Sequence, residues 1–284
     1  MSLPQRPLEE PYRSRAVPPG TARYWSWLFS ARESRDSLLG VYALLAEWRA
    51  LMDPGTESGV AHLKIAWWRE EMDRLAAGSP LHPIGRYLAE LPRTRVADLA
   101  PLSETVEAAA RQIAGAPLER GADLEAHSGA LHARPLIVAA RLASDRSIER
   151  QAGTLDSVAA LGAAQYLADA IADYRREARC GRVVFPVEEL LAAGIEDADL
   201  TAADPPPRLQ SYLDELRRRA AQLFAAAADA LPRADRPQLR HVLVLAALGA
   251  KDLRGRADSR ELNHRLRALY LAWRTARRAA RGEQ

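Results

Sequence analysis

The sequence predicts an all-α fold, and three observations predict it. Ala, Leu, Arg and Glu, which favour helices, are abundant, whereas Val and Phe, which favour strands, are scarce. No run alternates apolar and polar residues between turn signals as a half-buried strand would. Two long stretches, Leu38–Met52 and Val158–Ala172, are apolar nearly all round, which at helical pitch marks helices buried on every side.

The 284 residues hold no long Gly/Ser or Pro-rich linker. One domain over 21–284 is therefore expected, after a loose arm over 1–20. The net charge of +3 and the pI near 9.2 are mild, and Lys64 and Lys251 are the only lysines, so nothing points to nucleic acid. Cys180 stands alone, which excludes an internal disulfide. The opening MSLPQRPLEEPYRSR carries acidic residues and lacks the apolar core of a secretory signal. The run His241–Ala250 is shorter than the roughly 20 residues that span a bilayer. The expectation is a cytoplasmic protein, free or peripheral to the inner membrane.

Taken in order, the first helical segment is Thr21–Met52, broken near Ser30–Ser34. Thr56–Ala77 follows and closes at Gly78, with Trp67 and Trp68 expected in the core. GSPLHPIGRYLAEL sets a turn into a short helix, with a structural role for His82. Helices near Asp98–Ile113 and Leu124–Ala143 come next, and Pro135 should kink or interrupt the second. His127 and His132, five apart, should not share a helix face, which argues against a zinc pair. After the central helix, FPVEELLAAGI reads as a short helix stopped at Gly194, and Pro205–Pro207 punctuate the chain. Three helices remain, near Leu209–Leu231, Gln238–Leu253 and Arg260–Arg281. The last is basic: Leu262, Leu266, Leu269, Tyr270 and Trp273 give way to Arg274, Arg277, Arg278 and Arg281. Such a helix is either a solvated terminal element or a patch for an anionic membrane surface or an acidic partner.

The residues that suggest chemistry lie on the central helix. Asp169, Asp173 and Glu177 recur at i, i+4 and i+8 and form a ladder on one face, which also carries Tyr166. A solvated acidic edge suits Glu177, which lies among Arg175, Arg176 and Arg179, but suits Asp169 badly, because its neighbours are apolar. A buried carboxylate needs a cation, a metal or several hydrogen bonds. Arg49 on the earlier buried helix cannot lose its proton, so if buried it must meet a carboxylate or an anionic ligand. If Arg49 and Asp169 merely satisfied each other in the interior, Arg49→Ala would cost about 3–5 kcal/mol.

Three segments carry a resemblance: RDSLLGVYALLAEWRALMD, AWWREEMDRLAAGSPLHPI and LGAAQYLADAIADYRREARCGRVVFPVEELLAAGI. With the Trp-Arg-Glu-Glu, Gly-x-Pro-x-His-Pro and Gly-Arg-x-x-x-Pro patterns in this order, the chain resembles the squalene/phytoene synthase family over nearly its whole length. The resemblance implies an isoprenoid (terpenoid) synthase-type helical bundle around a central cavity for prenyl diphosphates. It implies head-to-head joining of two such substrates, with Mg²⁺ held between two aspartate-rich helices. Carboxylates there gather divalent cations that neutralise the diphosphate and help it leave.

Against that pattern the chain departs at several positions. The first Asp-x-x-x-Asp motif corresponds to Arg49-Ala50-Leu51-Met52-Asp53, so only Asp53 survives. The second corresponds to Asp169, where Asn is common, then Asp173, then Glu177 in place of Asp. Ala172 replaces an Arg, Gln165 displaces the glutamine usual at Tyr166, and His127 falls where Tyr is common. By resemblance, substrate contacts fall to Tyr42, Arg49, Gln165, Tyr166 and Arg182. Any retained Mg²⁺ falls to Asp53, Asp169, Asp173 and Glu177. A cation at Arg49 lowers the demand for Mg²⁺ and predicts weak or absent synthase activity. The lost first motif and the LRALYLAWR ending resemble divergent family members that include a mitochondrial assembly factor for respiratory complex I. Two expectations follow. One is a respiratory-complex assembly protein or a protein that binds a prenyl diphosphate or other isoprenoid lipid, with weak or no synthase activity; the other is an active Mg²⁺-dependent head-to-head transferase joining two prenyl diphosphates.

Overall fold

The structure, a computed structural model, describes residues 7–91, 96–145, 148, 153–253 and 262–283. These residues form helices and loops, with no strand among them. The chain opens with α1 (Glu10–Ala16) and α2 (Ala22–Leu28), then a 3₁₀ turn (Arg32–Ser34) leads into α3 (Arg35–Met52). α4 (Ser58–Ala76), α5 (Pro83–Glu90), α6 (Val96–Leu99) and α7 (Leu102–Ile113) follow. α8 (Gly121–Ser128) passes through a π turn (Gly129–Ala133) into α9 (Arg134–Ala143). The long α10 (Thr154–Arg179) precedes the short α11 (Val187–Ala192) and α12 (Asp197–Thr201), then α13 (Pro207–Ala230), α14 (Arg240–Asp252) and α15 (Leu262–Ala279).

α10 runs through the interior, as its all-round apolar sequence predicts. Val158, Leu161, Ala164 and Ala168 join Phe224 of α13 and Leu243 and Ala246 of α14 in one apolar cluster. Tyr166, Leu167, Ile171 and Tyr174 join the larger cluster that contains α3 and α4. Each fully buried Leu or Ile contributes about 1.5–3 kcal/mol, so two-sided burial fixes the axis of α10 firmly. α3 is likewise enclosed from Ser37 to Leu44.

Two local devices set how neighbouring segments meet α10. At Gly162 an added Cβ would lie 2.6 Å from Ala133 Cα and 2.8 Å from Ala133 N, so only glycine lets the π turn approach this closely. That turn replaces the kink expected at Pro135. Proline cannot bond to the carbonyl four residues earlier; the chain widens over 129–133 and Pro135 enters the first turn of α9. The widening also overturns the expectation for His127 and His132. A wider turn brings residues five apart onto one side, and both rings meet Tyr166 edge-on, at centroid distances of 5.6 and 5.3 Å.

The second device explains the Trp-Arg-Glu-Glu and Gly-x-Pro-x-His-Pro patterns. Buried Glu71 accepts the backbone N–H groups of Leu81 at 2.8 Å and His82 at 2.7 Å, and the Arg74 guanidinium at 2.9 Å. Gly78, at φ +75°, ends α4 and turns the chain toward that carboxylate. His82 then caps α5 through Ile84 N–H and lies 4.6 Å from the Trp68 ring. Its structural role is the one expected. Trp68 is buried as expected, whereas Trp67 is partly exposed beneath Arg74.

The expected arm over 1–20 needs correction from residue 7 onward. α1 folds against α3, with Leu8, Ala16 and Val17 buried, Arg15 paired to Glu47 at 2.9 Å and Tyr12 edge-on to His82. The short apolar set and one ion pair are enough to dock this segment, a signal too sparse for periodicity to reveal. Residues 1–6 lie outside the described residues, as do Arg260 and the join that leads into α15. α15 packs through small side chains. Its buried ridge is Ala268, Ala272, Ala276 and Ala279, and Leu266, Tyr270 and Trp273 are exposed.

Gly162→Ala is expected to lower unfolding free energy by about 2 kcal/mol, because overpacking against backbone has nowhere to relax. Urea denaturation checks this, and an unchanged midpoint would show that the π turn does not depend on the close approach.

Candidate functional site

α3 ends where chemistry begins. Pro54 disfavours a helical conformation in the residue before it, so Asp53 leaves the helix at φ −61°, ψ 128°. Its carboxylate accepts Gly55 N–H at 2.8 Å and Arg176 Nη1 at 3.0 Å. Arg49 lies one turn earlier on α3. Facing both is the second half of α10, where Asp169, Asp173 and Glu177 follow one another. α3 and α10 make little direct contact, and long arginine side chains cross between them.

Three guanidiniums form this seam. Arg49 Nη2 lies 3.5 Å from Asp169 Oδ2. Arg176 reaches Asp53 across the gap and lies 3.5 Å from Asp173 and 3.7 Å from Glu177 on its own helix. Arg182 donates to Glu177 at 2.8 Å and to the Met52 carbonyl at 2.8 Å. The Gly-Arg-x-x-x-Pro pattern accounts for that last clamp. Gly181 takes φ +74°, its N–H bonds Ala178 O, and Arg182 N–H bonds Glu177 O, a glycine-terminated helix end that curls Arg182 back beneath Glu177.

Asp169 is the most heavily served carboxylate. His132 Nε2, delivered by the π turn, lies 3.3 Å from Oδ2, and the Gln165 amide donates to Oδ1 at 3.1 Å. Burial pushes the carboxyl upward, but the His132 hydrogen bond, the Arg49 charge and the Gln165 amide outweigh it and hold the pKa at about 2. Glu177 goes the other way: its burial outweighs Arg182 and Arg176, and its carboxyl sits above its usual value. Here the sequence reading is reversed. Glu177 is the deeply buried acid, with 6% of its side chain exposed, and Asp169 keeps 26%. Arg182 and the end of α3 close over Glu177, a contact between segments far apart in sequence.

Arg49 is half-exposed, at 54%, so the interior pair considered above does not form. A partly exposed pair at this distance contributes about 1 kcal/mol or less, well below the cost of breaking a buried one. Tyr42 is buried and shares a 2.7 Å hydrogen bond with Ser26; burial pushes its phenol up to about 12. Tyr166 is buried between the two histidines, and burial raises its phenol as well. Gln165 is pressed against Gly249, where a Cβ would come 2.4 Å from its Oε1. Gly249 therefore leaves room for the Gln165 amide to reach Asp169.

Three site residues were not singled out from sequence: Arg23, His132 in this role, and Arg176. Arg23 on α2 belongs to the upper end of the seam. Burial lowers its pKa, the Arg49 charge lowers it further, and Tyr42 and Asp169 pull it back up. Arg176 carried one usable signal, its position three residues after Asp173. Arg23 carried none, because α2 meets the site only through the tertiary fold.

The four carboxylates named for Mg²⁺ each face a guanidinium. Among the described residues no three His, Cys, Asp or Glu side chains converge as a metal cluster requires. This arrangement does not fit the oxygen-rich shell that several Mg²⁺ ions need.

Comparison with known proteins identifies the fold around this seam. The family model for squalene/phytoene synthase matches residues 18–275. The chain belongs to the squalene/phytoene synthase family. Among curated relatives, phytoene synthase 1 of Arabidopsis thaliana chloroplasts is 21% identical over 203 residues, covering 71% of this chain and 48% of that protein. The chloroplastic phytoene synthase of Narcissus pseudonarcissus is 22% identical over 210 residues, covering 72% and 49%. The chain thus spans about half the length of the curated relatives it matches. A solved dehydrosqualene synthase superposes with a TM-score of 0.71 at 14% identity, covering 94% of this chain and 98% of that one. The squalene synthase HpnC from Alicyclobacillus acidocaldarius gives 0.55 at 18% identity, covering 93% and 92%. The isoprenoid synthase fold implied by the sequence is the fold of this family member. No described helix is long and apolar enough to cross a membrane.

The depressed Asp169 pKa gives a signed pH dependence. Its charge contributes stability that is fully present above the ordinary value near 3.8 and is lost as pH falls through about 2. Asp169→Asn is expected to cost roughly 2 kcal/mol at neutral pH, a difference that shrinks toward zero between about pH 4 and pH 2. Denaturation of both proteins across that range checks the sign, and a constant difference would remove the ionised carboxylate as its source.

Proposed function

We propose that this protein holds an isoprenoid diphosphate, or an isoprenoid lipid with another anionic head, through guanidinium contacts in place of Mg²⁺, with weak or no head-to-head coupling. The observation that carries the reading is the Arg49–Asp169 pair, with Arg23 beside it. Arg49 pairs with Asp169, and the Arg23 guanidinium is close enough for its charge and that of Arg49 to repel, so the upper end of the seam sets two guanidiniums against one carboxylate. Excess cation in a half-buried site attracts an anion, and a guanidinium meets diphosphate oxygens two at a time.

The residues divide the work by position. Arg49 is exposed enough to leave Asp169 for an incoming phosphate, while His132 and Gln165 keep Asp169 ionised and in place. Tyr42 and Tyr166 lie buried beside the charged groups. Coupling makes a further demand, because an allylic diphosphate leaves only when its developing charge is neutralised. Mg²⁺ supplies that neutralisation when it is bound. An arginine holds a diphosphate but does not bridge it to several carboxylates as a cluster of metal ions does.

A second reading has one observation in its favour. At the lower end Arg176 and Arg182 face Asp53, Asp173 and Glu177, two guanidiniums against three carboxylates. That excess negative charge suits a single divalent ion, and an active transferase with fewer metals than its relatives would use it.

Calorimetric titration with farnesyl and geranylgeranyl diphosphate, with and without Mg²⁺, and product analysis of the same mixtures separate the two. The expected outcome is binding that does not need Mg²⁺ and yields no coupled hydrocarbon. Arg49→Ala should weaken metal-free binding about 10- to 100-fold, the loss of a charge-assisted contact of about 1.5–3 kcal/mol. Mg²⁺-dependent binding with a squalene- or phytoene-type product would establish the second reading instead.

A further inference from the structure

We propose that α15 and the groove beside it dock the protein on an anionic phospholipid bilayer. This face is separate from the seam between α3 and α10, and the inference does not rest on the function proposed there. The first observation is the inverted character of α15. A terminal helix that merely covers a core buries its large apolar side chains and exposes its small and polar ones. Here Ala268, Ala272, Ala276 and Ala279 form the buried ridge against α14 and α2, while Leu266, Tyr270 and Trp273 are 52%, 59% and 42% exposed. At helical spacing these three fall on one outward stripe. Leu63 and Leu191 are more exposed, but on other helices, whereas these three share one face.

The second observation is charge. α15 contains Arg265, Arg267, Arg274, Arg277 and Arg278 and no acidic residue. Arg277 lies over the Trp273 ring, 5.3 Å from its centroid, and Tyr270 sits beside that ring at 6.0 Å. Arg267, Arg274 and Arg278 follow one another along the flank of the apolar stripe.

The third observation lies on the far side of that arginine row. A groove of about 510 Å³ is lined by α13, α14 and α15, with Ala225, Leu243 and Ala247 among its mostly apolar walls and Arg274 and Arg278, alongside Asp229 and Glu283, in its charged lining. Exposed aromatic rings, a cationic row and an apolar groove in sequence match the layers of a bilayer surface. Tyr and Trp favour the head-group level, arginines pair with lipid phosphate, and an apolar groove accepts acyl chain. A soluble acidic peptide would use the arginines but would leave the aromatic stripe in water. No described helix crosses a membrane, so the attachment is peripheral.

Co-sedimentation of the purified protein with phosphatidylcholine vesicles, with and without phosphatidylglycerol, tests this. The expected result is recovery with the anionic vesicles only, weakening as salt is raised. Arg274→Ala and Arg278→Ala should each reduce partitioning about fivefold. Tyr270→Ala with Trp273→Ala should reduce it about tenfold or more, because the apolar contact is lost. Circular dichroism on each variant verifies that the fold is retained, as these side chains are exposed. No recovery, equal recovery on neutral vesicles, or unchanged binding by either set of folded variants would overturn the proposal. Binding to polyglutamate without binding to vesicles would also overturn it, in favour of an acidic protein partner.

Discussion

The structure depends on arginines answering carboxylates across the gap between α3 and α10. Neither helix packs tightly on the other there, so the gap is bridged by charge, and the partners of each charge decide what else can enter. Arg176 ties Asp53 to the acidic face of α10, and Arg182 ties Glu177 to the last carbonyl of α3. Repulsion among four nearby carboxylates would otherwise need metal ions to relieve it. In this chain the relief is covalently built in, and it is present in the absence of any ligand.

That seam is held in place by packing some distance from it. Gly162 lets the π turn press on α10, and the π turn carries His132 to Asp169. Gly249 leaves space for Gln165 to reach the same carboxylate. Gly181 curls the chain so that Arg182 meets Glu177 twice, once through its backbone and once through its side chain. Each glycine therefore acts at a position where a side chain would move a charged group. The Glu71 clasp does similar work for the α4–α5 turn, which explains why a pattern that carries the family resemblance has no direct part in the seam.

Legibility in the sequence follows the range of the interactions. The buried helices α3 and α10, the caps at Gly78 and Gly194 and the acidic ladder are local patterns, and they stand where periodicity and turn chemistry put them. The burial of Glu177 was misread because its cover comes from Met52 and Arg182, and no spacing rule reports on residues so far apart. Arg23 was missed for the same reason. The contact face of α15 is not legible from hydrophobic size, because close approach to α14 and α2 favours alanine there. His127 and His132 come together because the π turn departs from the regular helical period.

Charge along the seam is graded rather than balanced, and this bears on how an amphiphile would lie. At the upper end Arg49 pairs with Asp169 and Arg23 adds a second positive charge; at the lower end Asp53, Asp173 and Glu177 share Arg176 and Arg182. Under the proposed function, a diphosphate would be drawn toward the upper end and repelled from the lower one. Fixed guanidiniums orient one anionic head well, and two anionic heads in the same gap would compete for Arg49 and Arg23. Under the proposed function, guanidiniums standing in place of Mg²⁺ would favour one anionic head over the two that head-to-head coupling requires.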